Sequence, residues 1–191
     1  MKKSRNSNRE LIKKTATGAI LAASATVLLI IGGVFEILDM TSAAIASITI
    51  LISYLEFGAK SAFSVYAVSS VISLILFPIA TSTIYYVLVL GFFPILKFVA
   101  DKKLKKFGPL PLIVKFVVFN AGCAAILLLF SKIYGFDTVL AEFELGVITG
   151  ESVIITIFVM LNIFFIMYDM LLNSLAVIYV KALRKRIFGR K

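Results

Sequence analysis

Between Ser61 and Leu96 the chain carries no charged side chain. A membrane-crossing helix needs roughly 20 mostly apolar residues, so this stretch is too long for one crossing. It predicts two helices broken around Phe77-Pro78-Ile79-Ala80. Thr15–Phe35 is a further uncharged run long enough to cross alone, and Met40–Leu55 reaches the needed length by extending through Phe57. A fifth run, Pro109–Ser131, is opened by Gly108-Pro109-Leu110-Pro111, where a proline in the first turn loses no helical hydrogen bond. The sixth extends from Ser152 to about Val180. The expected fold is therefore all-α: a polytopic membrane protein with six transmembrane helices at about 15–38, 41–57, 61–78, 81–100, 109–131 and 152–181. Basic tails at 1–14 and 182–191 flank the bundle, and 133–151 is its single long loop. Composition agrees, with 61% hydrophobic and 16% charged residues and a mean hydropathy of +1.05. Soluble domains are about 45–50% apolar and about 25% charged, so a soluble enzyme domain is excluded, as is disorder.

The net charge of +10 is organised. Six spans put both termini on one side. That side receives the basic residues of the first tail, Lys60, the run from Lys97 to Lys115, and the C-terminal cluster from Lys181 to Lys191. Of the 20 basic residues only Lys132 falls on the other side, together with Glu36, Asp39, Asp137, Glu142, Glu144 and Glu151. Lysine and arginine in short loops mark the cytoplasmic face, so the termini are expected in the cytoplasm and the chain in a cell membrane, a bacterial plasma membrane by this reading. The charge then records orientation and attraction to anionic lipid; no nucleic-acid partner is expected. The N-terminus has the basic start and small residues of a signal peptide, but its apolar run exceeds the usual 7–15 residues, and an uncleaved first helix is expected.

Polar residues inside the spans are where function is sought, because an unpartnered polar group in hydrocarbon is costly. Asn120 and Asn162 fall near mid-membrane by helical rise, where they share a pocket or bond to each other. Asn162, Asp169 and Asn173 lie along one stripe of the last helix. Asp169 either caps a buried network with Asn173, pairs with Lys97 or Lys115, or serves a proton or ion relay. The serines and threonines of the second and third helices are read as packing groups that satisfy themselves on neighbouring carbonyls. Tyr85 and Tyr86, near the outer end of the fourth helix, and Glu36 in the first loop are candidate ligand contacts; an interfacial aromatic belt explains the tyrosines equally well. Pro94 is expected to kink the fourth helix. Asp137 is a possible cap for a short amphipathic segment with Leu140, Phe143 and Glu144. The first helix presents two adjoining small-residue faces, Gly18-Ala22-Thr26 and Ala19-Ala23. Such faces allow close helix approach in lipid, either within the bundle or against another membrane subunit. With no His, one Cys, no paired carboxylates and no phosphate-binding glycine loop, neither a catalytic constellation nor a metal or cofactor site is expected.

Six helices, the small residues Ala19 and Ala23, the turn Gly58-Ala59-Lys60, and the final run Tyr168-Asp169-Met170-Leu171-Leu172-Asn173 leading to Leu183-Arg184-Lys185-Arg186 together resemble the substrate-binding S components of energy-coupling factor (ECF) importers. That resemblance implies a subunit that captures a small vitamin-like solute from outside, in a cavity lined by the first loop and the fourth to sixth helices. Glu36, Tyr85, Tyr86, Asn120 and Asn162 would be its contacts. The same resemblance implies docking of a transmembrane T component through Ala19 and Ala23, with separate ATPase subunits supplying energy. The alternative is a non-transporting membrane scaffold of similar layout, like the rod-shape-determining MreD-like proteins. A proton-coupled transporter working alone is disfavoured by the single acid deep inside a span and the lack of visible inverted repeats.

Overall fold

The computed structural model describes residues 2–135 and 151–183. Among these it is helical throughout, with no strand, and six helices are long and apolar enough to cross a membrane. Helix α1 is Lys2–Val34, α2 Asp39–Phe57, α3 Ala59–Leu76, α4 Thr81–Tyr85, α5 Phe93–Lys103, α6 Leu110–Tyr134 and α7 Glu151–Ile178. The fourth span, Thr81–Lys103, is composite: α4, a π-helical turn at Tyr86–Leu90, and α5. A second π-helical turn, Tyr179–Leu183, continues α7.

Helix α1 begins at Lys2, so the basic tail is a helical extension of the first span. The reason is local, since neither Pro nor Gly interrupts the chain before Gly18 and Lys, Arg, Glu and Leu are good helix formers. The α2–α3 turn is a single residue, Gly58, at φ +83°. That left-handed conformation suits glycine, and the Gly58 N–H closes α2 on the Tyr54 carbonyl at 2.9 Å. The break between α3 and α4 falls at Phe77–Ala80, around Pro78. The expected surface segment around Asp137, Leu140, Phe143 and Glu144 and the basic C-terminal tail from Arg184 lie outside the described residues.

The core forms where α1, α2 and α3 cross. It is built from small side chains, Ala22 and Ala25 on α1, Ala43 and Ala46 on α2, and Ala62 on α3, with Leu29, Ile50 and Leu51 filling between them. Lipid tails are as apolar as leucine, so helix association in a membrane depends on close packing and polar contacts. Gly32 shows how close: a Cβ there would stand 1.9 Å from Ser42 Oγ on α2 and 3.0 Å from Ser82 Cβ on α4. The last two helices sit differently. Helix α7 meets the bundle along the stripe Phe165, Tyr168, Leu172, Ala176 and Tyr179, and turns Ile155, Met160, Met167 and Met170 outward. Of α6, only Pro111, Lys115, Phe119 and Ile126 are buried.

Candidate functional site

Three of the polar groupings among the described residues join helices distant in sequence inside this apolar bundle. The first surrounds the π-helical turn of the fourth span. There the Gly91 N–H bonds five residues back, to the Tyr86 carbonyl at 2.7 Å, which leaves the Val87 carbonyl without its α-helical donor. Pro94 in the first turn of α5 has no N–H, which likewise orphans the Leu90 carbonyl. Two tyrosines from other helices supply the missing donors. The Tyr66 hydroxyl on α3 donates to Val87 O at 2.7 Å, and the Tyr168 hydroxyl on α7 donates to Leu90 O at 3.2 Å. Tyr168 also lies 2.5 Å from Ser47 Oγ on α2, and Tyr86 2.8 Å from Ser69 Oγ on α3. The kink expected at Pro94 is thus a break in the α-helical pattern whose free carbonyls are answered across the bundle. Π-bulges of this kind are often found at functional sites.

The second grouping is the asparagine pair. Asn120 Nδ2 donates to Asn162 Oδ1 at 3.1 Å, and Asn162 Nδ2 returns to Asn120 Oδ1 at 3.4 Å. Each amide also donates to the carbonyl one turn back in its own helix, Phe116 and Phe158. The pair joins α6 to α7 with its donors engaged on both sides.

The third is a quartet of charges. Lys97 and Asp101 sit one turn apart on α5, Lys115 on the second turn of α6, and Asp169 on α7. Asp169 Oδ1 lies 2.6 Å from Lys97 Nζ and 3.1 Å from Lys115 Nζ; Asp101 reaches Lys115 Nζ at 3.1 Å and Lys97 Nζ at 3.7 Å. Lys97 is 0% and Lys115 5% exposed, while the Asp101 side chain keeps 38% of its surface open. Two cations balance two anions, so the cluster is neutral as a whole. A buried charge needs such partners, and this arrangement cross-links three helices. Helical rise puts it roughly 8–10 Å along α6 and α7 from the asparagine pair.

Against these groupings the residues singled out in the sequence divide. Tyr86 is fully buried and bonded to Ser69, within the core and not in an open cavity. Tyr85 is half-buried with its ring edge-on to Phe130 at 6.2 Å. Asn120 and Asn162 contact each other. Glu36 lies in a short 3-10 turn, Glu36–Leu38, between α1 and α2. Asp169 engages both expected lysines, but Asn173 is exposed and stands apart from the quartet. The reason is geometric: α7 touches the bundle along a narrow stripe through Leu172 and Ala176, and a residue rotated off it meets lipid. Asp101 completes the quartet, and its i,i+4 spacing from Lys97 is the ion-pair signal that marks it in the sequence.

The two small faces of α1 separate cleanly. Ala22 and Thr26 are buried and Gly18 half-buried against Val65, whereas Ala16, Ala19, Ala23 and Ser24 are exposed. Elsewhere the outer surface is mostly large and aliphatic or aromatic, with a shorter small patch on α6 at Ala121, Ala124 and Ala125. Between α6 and α7 lies an apolar groove of about 210 Å³ lined by Leu112, Ile113, Phe116, Phe165 and Ile166. Among the described residues no three His, Cys, Asp or Glu side chains gather as metal ligands. Comparison with protein-family models, with curated proteins and with solved structures finds no match to this chain.

Proposed function

We propose that this chain is a non-catalytic subunit of a membrane assembly that receives a partner's transmembrane helix on the outer face of α1. The observation that carries the reading is the set Ala16, Ala19, Ala23 and Ser24, exposed over more than two turns around the larger Ile20 and Val27, beside a first small face already occupied by α2 and α3. Small side chains turned toward lipid gain little from lipid, but they let a second helix approach closely. In its narrower form the subunit is an S component of an ECF importer, with both termini in the cytoplasm of a bacterial cell. It captures a vitamin-like solute from outside and relies on a T component and ATPase subunits for transport.

The scaffold reading has its own support. Tyr86, Asn120 and Asn162, three of the five residues proposed to contact a solute, are engaged with other groups of the bundle. An MreD-like scaffold would use the same α1 face and need no solute.

The test sets Ala19→Trp and Ala23→Trp beside Ala22→Trp. The two outer substitutions abolish co-purification of a membrane partner while leaving the purified chain folded; Ala22→Trp, at a position 3% exposed, unfolds it. Unchanged co-purification with both outer variants overturns the docking reading. Native mass spectrometry of gently purified protein then separates the two forms, since a retained polar small molecule supports the S component and a bare chain with its partner supports the scaffold.

A further inference from the structure

We infer that the groove between α6 and α7 is a seat for one anionic phospholipid of the adjacent leaflet. The acyl chain would lie along Phe165, and the head group would be held by the lysines of the α5–α6 connection. The inference is independent of the function proposed above. Three observations converge on it. The groove starts within a turn of the α6 N-terminus, at Leu112 and Ile113, and continues to Phe116 and Ile166, with the buried Phe165 ring as its floor. At about 27 Å³ per methylene, its roughly 210 Å³ accommodates part of one acyl chain. Leu112, Ile113 and Ile166 stay more than half exposed, so the groove opens to lipid along its length.

The end of α5 and the turn that leads into α6 carry Lys102, Lys103, Lys105 and Lys106, all exposed, and none is in an ion pair among the described residues. The acid nearest in sequence, Asp101, pairs with Lys115 and Lys97, so it does not offset these four lysines. The N-terminus of α6 adds to the positive field. It has no side-chain cap; Pro109 and Pro111 carry no N–H and those of Leu112 and Ile113 bond the Pro109 carbonyl, so its contribution is the positive end of the helix dipole. An apolar chain slot that opens at a lysine cluster and an uncapped helix start matches an anionic lipid, one chain below and one phosphate above; basic sites at the ends of transmembrane helices bind such head groups.

The experiment is native mass spectrometry of the full chain released from nanodiscs of phosphatidylglycerol mixed equally with phosphatidylcholine. The expected result is one retained phosphatidylglycerol in preference to phosphatidylcholine. Lys105→Gln lowers that preference about fivefold, the share of one basic side chain near an anionic surface, and replacing all four lysines with glutamine removes it. Ile113→Trp fills the groove while leaving every charge in place, and it lowers retention of both lipids. Equal retention of the two lipids by the natural chain overturns the inference. So does undiminished phosphatidylglycerol in the four-lysine and Ile113→Trp variants, and so does a lipid-free dimer, which would show a second copy of the chain covering the groove.

Discussion

Removing the Asp169 carboxylate is the sharpest test of the charge quartet. In Asp169→Leu, Lys97 loses an anion 2.6 Å away while remaining 0% exposed, and its only other acid, Asp101, is 3.7 Å off and shared with Lys115. At an effective dielectric of about 20, unit charges 2.6 Å apart attract by about 6 kcal/mol. The desolvation already endured by both ions offsets part of that, and breaking one side of a buried pair costs about 3–5 kcal/mol. Asp101 stays within reach of both lysines, which places the expected loss near 3 kcal/mol, the lower end. The double variant Lys97→Met/Asp169→Leu removes one cation and one anion together and leaves the Lys115–Asp101 pair at 3.1 Å intact. Apolar replacement of a whole buried pair is often neutral, so the double variant is expected within about 1 kcal/mol of the natural chain, about 2 kcal/mol more stable than Asp169→Leu alone. Reversible unfolding in mixed micelles, followed by tyrosine fluorescence, measures this without tryptophan interference, since the chain has seven Tyr and no Trp. An Asp169→Leu variant as stable as the natural chain, or a double variant no better than Asp169→Leu, would refute the argument.

Two further outcomes follow from the hydrogen bonds. Tyr168→Phe leaves the Leu90 carbonyl without a donor and is expected to cost about 1–2 kcal/mol. Pro94→Ala restores a backbone N–H one turn beyond Leu90 and should shrink that cost when the two are combined; an undiminished penalty in the same unfolding assay would show that Tyr168 stabilises by packing alone. Asn120→Ala and Asn162→Ala are each expected to cost about 0.5–1 kcal/mol, the usual worth of a polar contact between helices in a membrane. A double-mutant cycle giving no coupling would mean the pair is not a stabilising contact.

What could be read from the chain is what hydrophobic length and charge record. Six apolar runs and the break around Pro78 follow from backbone chemistry within a few residues, and the structure has six helices of that character. The meeting of Asn120 with Asn162 follows from depth, which a fixed helical rise supplies. Azimuth is harder to read. Both faces of α1 are small, so nothing in Ala19 or Ala22 says which one turns inward; the choice is made by Val65, Ser42 and Ser82 on other helices. Asn173 fits the same stripe as Asp169 by spacing alone, yet how far α7 wraps onto its neighbours decides that it faces outward. The π-helical turn leaves only Gly91 and Pro94 as traces. The tyrosines that answer its carbonyls, Tyr66 and Tyr168, are more than twenty residues away and carry no local sign of the role. Asp101 lies in the charged run Asp101-Lys102-Lys103, whose composition suits an interfacial loop, yet its carboxylate reaches Lys115 and Lys97.

The quartet also sets a schedule for synthesis. Lys97 enters the membrane with the fourth span, but Asp169 belongs to the sixth, which the ribosome completes on the order of ten seconds later at usual elongation rates. A lysine at the centre of an inserting helix costs about 2.5–3.5 kcal/mol by itself, and Lys97, six residues from the end of its span, costs part of that. Through that interval its nearest acid is Asp101, one turn further along the same helix, which can travel into the bilayer with it as a chaperoning charge. Lys115 arrives next and competes for that carboxylate, so the half-made protein holds one anion for two cations until the last helix docks. Arrival of Asp169 then supplies the second anion, which brings the four charges into balance.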